Sequence, residues 1–295
     1  MENNALTLTI VSNMTSNYSE GLGNISNVQK IFKNKKTYSM RSRESLKNSI
    51  MVQSGMYEDL KTVVNGATQK EASETLNVSN CRALEGGYMT TSNITYTRNS
   101  SFYLTDAISC ESFINETRFH NNLYMADNFA KAKGLNVQVD AGKVGLMPYQ
   151  YEYEKSLKTY SITIDLEMIG VDKNFNTEAS NEEKSNRVIS LLNAVKNLSL
   201  VVKGNLDNAE PIFVVGGLSC RKTHYFENVV KVKNENLLIT KDLKDKINDG
   251  FKVALLEGGT FENESEIIKE LSPTSISEFF NDLINQVREY YKVNI

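Results

Sequence analysis

The order of hydrophobic periods along this chain predicts an α+β fold, with one antiparallel sheet flanked by helices. Three observations carry the prediction. Apolar and polar residues alternate with period two from Leu6 to Val11 and again from Tyr160 to Met168. Val188, Leu191, Leu192, Val195 and Leu198 then repeat at helical spacing, and the apolar run Pro211 to Val215 follows. Between Gly55 and Ser156 no period is sustained, which reads as an insertion rather than core.

The first alternating segment is a strand with at least one buried face. After it, Ser12 to Asn24 is polar; its Gly21 and Gly23 lack the third glycine and the acid of a nucleotide loop, and no G-x-x-x-x-G-K-[ST] occurs anywhere. Ile25, Val28 and Phe32, then Leu46 and Ile50, sit at helical spacing, so one or two short helices are expected there. Ser42 is placed to cap the second. From Lys30 to Lys47 seven basic residues stand against one acid, Glu44. A capped helix start also favours an anion, so this stretch reads either as a solvated basic face or as a phosphate site.

Within the insertion, Tyr88, Met89, Phe102, Tyr149 and other aromatic and methionine residues show no clean stripe, and packing is the expected role for most. On the strand after Tyr160, Asp165 and Glu167 share a face with Ser161 and Thr163; a solvated face is expected over acid–base or metal chemistry. Asp172 to Asn186 reads as a loop before the helix. The strand Pro211 to Val215 ends in Gly216-Gly217, which allows close approach of a backbone or phosphate, or a tight turn. A Lys-rich helix near Lys241, a second apolar strand from Val253 and a final helix with a Ser275/Glu278 capping box complete the chain. Strand, helix, excursion, strand, helix, strand is the order of a split βαβ, RRM-like or ferredoxin-like sheet. The expected parts are 1–54, the insertion 55–156, and 157–295.

Composition bounds the function. With 36 acidic and 33 basic residues among 295, any nucleic-acid site must be a local patch. Cys81, Cys110 and Cys220 are too far apart for a disulfide framework or thiolate metal site, and His120 and His224 stand alone, so neither zinc nor a Ser-His-Asp arrangement is supported. No cofactor is expected. The first residues carry no basic segment followed by an apolar run, and no apolar run nears a membrane span of about 18 residues, so a cytoplasmic protein with no membrane partner is expected.

Several stretches taken together resemble the DevR family, the backbone subunits of type I-B CRISPR Cascade effectors within the RAMP proteins. They are Asn17 to Ser26, Tyr38 to Lys47 with its Ser42-Arg43 pair, Gly87-Tyr88-Met89, Ala107-Ile108-Ser109, Ile164 to Asp172, Arg187-Val188 and Pro211 to Gly217. The resemblance implies a hand-shaped protein whose palm is a modified RRM sheet and whose insertion supplies fingers and thumb. Copies of it would stack along a CRISPR guide RNA, gripping and kinking the backbone while the bases stay free to pair with target DNA beside other Cascade subunits. It further implies RNA-binding roles for Ser39, Arg41, Ser42, Arg43 and Lys47 at the helix start, for Asn17 and Tyr18 on the facing loop, for Met89 in the thumb, and for Gly216 and Gly217. Where the family has Gln-Ala-Leu-Arg after Ser-Arg, this chain has Glu44-Ser45-Leu46-Lys47, and a lysine cannot fork onto phosphate as arginine does. The alternatives are a metal-dependent endoribonuclease like type III backbone subunits and a non-CRISPR single-strand RNA-binding protein. Against the first, no aspartate precedes Asp59.

Overall fold

The computed structural model describes residues 3–18, 25–91, 94–202 and 204–293. Gly21 and Gly23 lie outside the described residues. In chain order the elements that position the site are β1 (Ala5–Thr15), β2 (Lys30–Lys33), β3 (Lys36–Arg41), α1 (Arg43–Gln53), β4 (Tyr88–Thr91), β5 (Thr95–Arg98), β6 (Phe102–Leu104) and β7 (Ala107–Ser109). They continue with β8 (Thr117–His120), α2 (Leu123–Lys133), β9 (Tyr149–Glu152), β10 (Lys155–Asp165), α3 (Asn181–Lys196), β11 (Pro211–Ser219), α4 (Lys241–Asn248), β12 (Lys252–Leu255), α5 (Glu264–Leu271) and α6 (Ile276–Tyr290).

Eight strands make one sheet in the order β12-β11-β1-β10-β7-β3-β2, with β6 also pairing β10. The pairs are antiparallel, so the predicted α+β class holds. At its centre β1 and β10 run in unbroken register from Ala5 opposite Asp165 to Thr15 opposite Lys155. Alternation decides which side chain goes where. Leu6, Leu8, Ile10, Tyr160, Ile162 and Ile164 share one face and are buried in a core with Ile50 of α1, Leu191 and Val195 of α3, and Phe280 and Leu283 of α6. Each such side chain contributes roughly 2 kcal/mol through removal from water. Val11, Phe213 and Val215 point to the opposite face and pack with Phe226, Leu243 of α4, Phe261 and Ile267 of α5. The Ser275/Glu278 capping box opens α6 as its sequence predicts.

Four expectations are corrected. Residues 25–41 are not helical: β2 and β3 form a hairpin whose two-residue turn, Asn34-Lys35, has φ of 50° and 61°. Asn at the first of these positions tolerates the left-handed conformation, and the apparent helical spacing of Ile25, Val28 and Phe32 is incidental. Secondly, β6 and β7 join the main sheet through β10, and β7 also pairs with β3, so part of 55–156 is core. Strands of three residues are too short to show a period. Thirdly, α3 already begins at Asn181, capped by Ser180, inside the stretch expected to be a loop.

The fourth correction concerns the face of β10 that bears Ser161 and Thr163. Thr7, Thr9, Ser161 and Thr163 are buried, not solvated. The hydroxyls of Thr9 and Ser161 lie 2.7 Å apart, and those of Thr7 and Thr163 each donate to the Thr223 carbonyl at 3.0 Å. Burial without such partners would carry a heavy desolvation penalty, so the segment after β11 supplies what water otherwise would. Gly216-Gly217 likewise lies inside β11 rather than beyond it. A Cβ on Gly216 would sit 2.0 Å from the Thr7 carbonyl oxygen, so the missing side chain lets β11 close on β1.

Candidate nucleic-acid interface

The start of α1 is closed by the protein's own groups. Ser42 caps the helix by accepting from the Ser45 N–H at 3.2 Å, the Asn17 side chain accepts from the Ser42 N–H at 2.8 Å, and Asp106 accepts from the Arg43 N–H at 2.8 Å. Three of the backbone donors that a phosphate would have taken are therefore engaged. What remains for an anion is a side chain. Arg43 is exposed and its guanidinium rests on Glu44 at 2.8 Å, a contact that holds its proton more firmly.

The other residues singled out at this end split between scaffold and surface. Arg41 is only 4% exposed, and its guanidinium donates to the Thr15 carbonyl at 3.0 Å, to Ser45 Oγ at 2.9 Å and to Thr15 Oγ1 at 3.3 Å. Burial pushes its pKa down to about 10. Arg41 thus ties β3 to the end of β1 and the first turn of α1. Ser39 is fully buried on the same strand. Lys47 Nζ donates to the Gly86 carbonyl at 2.7 Å and to Ser100 Oγ at 2.9 Å, and burial together with nearby Lys70 pushes its pKa down to about 8. It shares with Arg43 a shallow pocket of about 280 Å³. Tyr18 donates from its hydroxyl to the Glu152 carbonyl at 2.8 Å. Met89, on the β4–β5 hairpin, is 57% exposed. Gly216 is buried within the sheet, so its place is structural.

Next to Arg43 the sheet face is open. A cleft of about 690 Å³ lies over β7 and β10, walled by the β2–β3 hairpin, by the Thr105-Asp106 loop, and by the segment from His224 to Val232. Lys33, Arg43 and Lys231 bring positive charge to it, while Asp106 and Glu227 bring negative charge. His224 stands at its edge with Nδ1 2.9 Å from Thr163 Oγ1, and burial lowers its pKa. The carboxylates Asp165 and Glu167 are joined by Lys222 at 2.9 and 2.6 Å, which leaves them paired rather than poised. His120 is stacked with Tyr149 and Tyr151 at 5.6 and 4.8 Å. Among the described residues, no group of three or more His, Cys, Asp and Glu is placed to hold a metal ion.

A family model described as "CRISPR-associated negative auto-regulator DevR/Csa2" matches residues 6–236. The chain belongs to the DevR/Csa2 family. The match runs from β1 past β11 and takes in both the start of α1 and the cleft. No curated protein matches the chain. Two solved structures are similar to this DevR/Csa2 chain in fold. One, a chain of a "CRISPR RNA-guided surveillance complex", is 11% identical, with 96% of this chain and 99% of that chain covered at a TM-score of 0.57. The other, from a "CRISPR RNA-guided surveillance complex, pre-nicking", is 9% identical, with 96% and 100% covered at a TM-score of 0.57. Among the described residues, no helix is long and apolar enough to cross a membrane.

Sequence reasoning finds the basic stretch and Arg43 but not the cleft. Asp106, His224 and Lys231 sit on segments without a period, and only the folded chain brings them to one cleft and sets His224 against Thr163 of β10. A basic residue following the apolar β11 is the single available signal.

Proposed function

We propose that this DevR/Csa2 chain is a non-catalytic subunit that binds CRISPR guide RNA along its backbone and assembles with copies of itself into the spine of a type I-B Cascade effector in the cytoplasm. The observation that carries the reading is the open cleft beside α1, with Lys33, Arg43 and Lys231 at its walls. Cations spaced along a polar cleft suit successive phosphates and leave bases outward, which is what a guide needs in order to pair. The strand order β11-β1-β10-β7, with α1 and α3 in the connections, supports a modified RRM palm. The rest of 55–156, including the hairpin that carries Met89, would supply fingers and thumb. Target DNA would be met only through the guide, and other Cascade subunits at the ends of the stack. The experiment is purification of the full chain with a guide-length RNA. The reading expects bound RNA, filaments by negative-stain microscopy, and intact complementary RNA after incubation with Mg²⁺. Protein free of RNA and without filaments, or regularly spaced cuts in the complementary strand, would refute it.

A further inference from the structure

We propose that Tyr103 is a stacking platform for one base of the bound strand, in the shallow pocket that lies across Arg43 from the phosphate cleft. The inference rests on the guide-RNA reading above. It begins with the alternation of β6, where Phe102, Tyr103 and Leu104 stand opposite Ile164, Thr163 and Ile162 of β10. Phe102 and Leu104 therefore point into the core and are buried, while Tyr103 points to the other face and is 44% exposed. Among the described residues its hydroxyl makes no hydrogen bond and its ring stacks on no other. The ring is instead a wall of the pocket of about 280 Å³ that it shares with Arg43 and Lys47 of α1 and with Ser100.

The pocket has the parts that one nucleotide needs. An ammonium has three hydrogens, and Lys47 spends two of them, on the Gly86 carbonyl at 2.7 Å and on Ser100 Oγ at 2.9 Å, with its Nζ 5.0 Å from the centre of the Phe102 ring. The third is left for an anion. Glu44 rests on Arg43 in an exposed contact of 2.8 Å, which a phosphate displaces at little cost. Arg43 and Leu104 border both cavities, so Arg43 stands on the ridge between the cleft and the pocket. A strand that lays its phosphates along the cleft and meets Arg43 hangs one base beyond it, against Tyr103, while the bases over the cleft stay free. Stacking suits a guide, because every base has a π-face and the site takes any of them.

The test uses the full-length chain and two kinds of single strand of one length: RNA in several sequences, and the same ribose-phosphate chain without bases. Wild type is expected to bind each RNA about tenfold more tightly than the abasic strand, the size of one stacked base. Tyr103→Ala should lose that factor on RNA and bind the abasic strand as wild type does. Its salt slope on RNA should match wild type, because the ring neutralises no phosphate. Tyr103→Phe keeps the ring and should keep the affinity, whereas Tyr103→Leu, apolar but without a ring, should bind like Tyr103→Ala. Equal wild-type affinity for RNA and the abasic strand overturns the proposal without recourse to any variant and leaves the guide-RNA reading intact. So does full RNA affinity in Tyr103→Leu, or a Tyr103→Ala deficit of the same size on both strands, which would place the ring on sugar or scaffold. A deficit for some base sequences only would mean base reading and overturns it as well. Wild type that binds neither strand takes both readings down.

Discussion

The side-chain oxygen of Asn17 accepts the backbone N–H of Ser42 at 2.8 Å, so the segment after β1 helps to cap α1. That hydrogen bond makes Asn17 a structural partner of the basic helix start. Asn17→Ala should lower folding stability by about 1 kcal/mol, the usual size of a missing cap. Asn17→Asp keeps the acceptor, adds a favourable charge at the helix start, and should spare it. Urea denaturation of the three proteins separates these outcomes.

Arg41 and Arg43 look alike in sequence and should behave oppositely. Removing the buried Arg41 leaves the Thr15 carbonyl and Ser45 hydroxyl without their donors, so Arg41→Ala should destabilise the fold by roughly 3 kcal/mol. Arg43→Ala removes an exposed side chain and should change stability by less than about 0.5 kcal/mol while weakening RNA binding. Thermal melts and RNA titrations of each variant check both halves.

Gly216 and Gly217 should also differ. Gly216→Ala would drive a Cβ into the Thr7 carbonyl and should abolish soluble, folded protein. At Gly217 the nearest atom to an added Cβ is Phe251 Cδ1 at 3.5 Å, an ordinary separation, so only the unfavourable φ of 153° costs stability, about 1 to 2 kcal/mol. Soluble yield and circular dichroism distinguish them.

Alkaline pH should stabilise the chain before it harms it. Burial holds Lys47 and Lys70 at about 8, below the ordinary lysine value of 10.5 that the unfolded chain keeps. Above pH 8 the unfolded state therefore binds more protons than the folded one, and stability rises with pH. Near pH 10 the trend turns, because Tyr18 and Tyr88, pushed up to about 12, keep protons that the unfolded chain loses. Urea midpoints should rise from pH 8 to pH 10 in wild type and stay flatter in Lys47→Met/Lys70→Met.

The long periods in the sequence are legible because burial on one face imposes them: β1, β10, α3 and α6 are such elements. Short elements carry no period, which is why β6, β7 and the β2–β3 hairpin escape. The basic stretch is legible as charge, but burial is a tertiary property, so nothing in it tells Arg41, folded inward onto Thr15, from Arg43 in solvent. The alternation that makes β10 visible also hides its second face, since Ser161 and Thr163 look solvated until the segment carrying Thr223 and His224 is laid over them.

The central claim is that the cleft beside α1 holds an RNA backbone without reading bases. Its most direct test is the affinity of single-stranded RNA, in several scrambled sequences, measured over a range of salt for wild type and for Arg43→Ala/Lys231→Ala. The account predicts equal affinity across sequences and a variant whose log–log salt slope is shallower by about 1.4, that is about 0.7 for each phosphate no longer neutralised. Sequence-dependent affinity, or a folded variant with the wild-type affinity and slope, would contradict it.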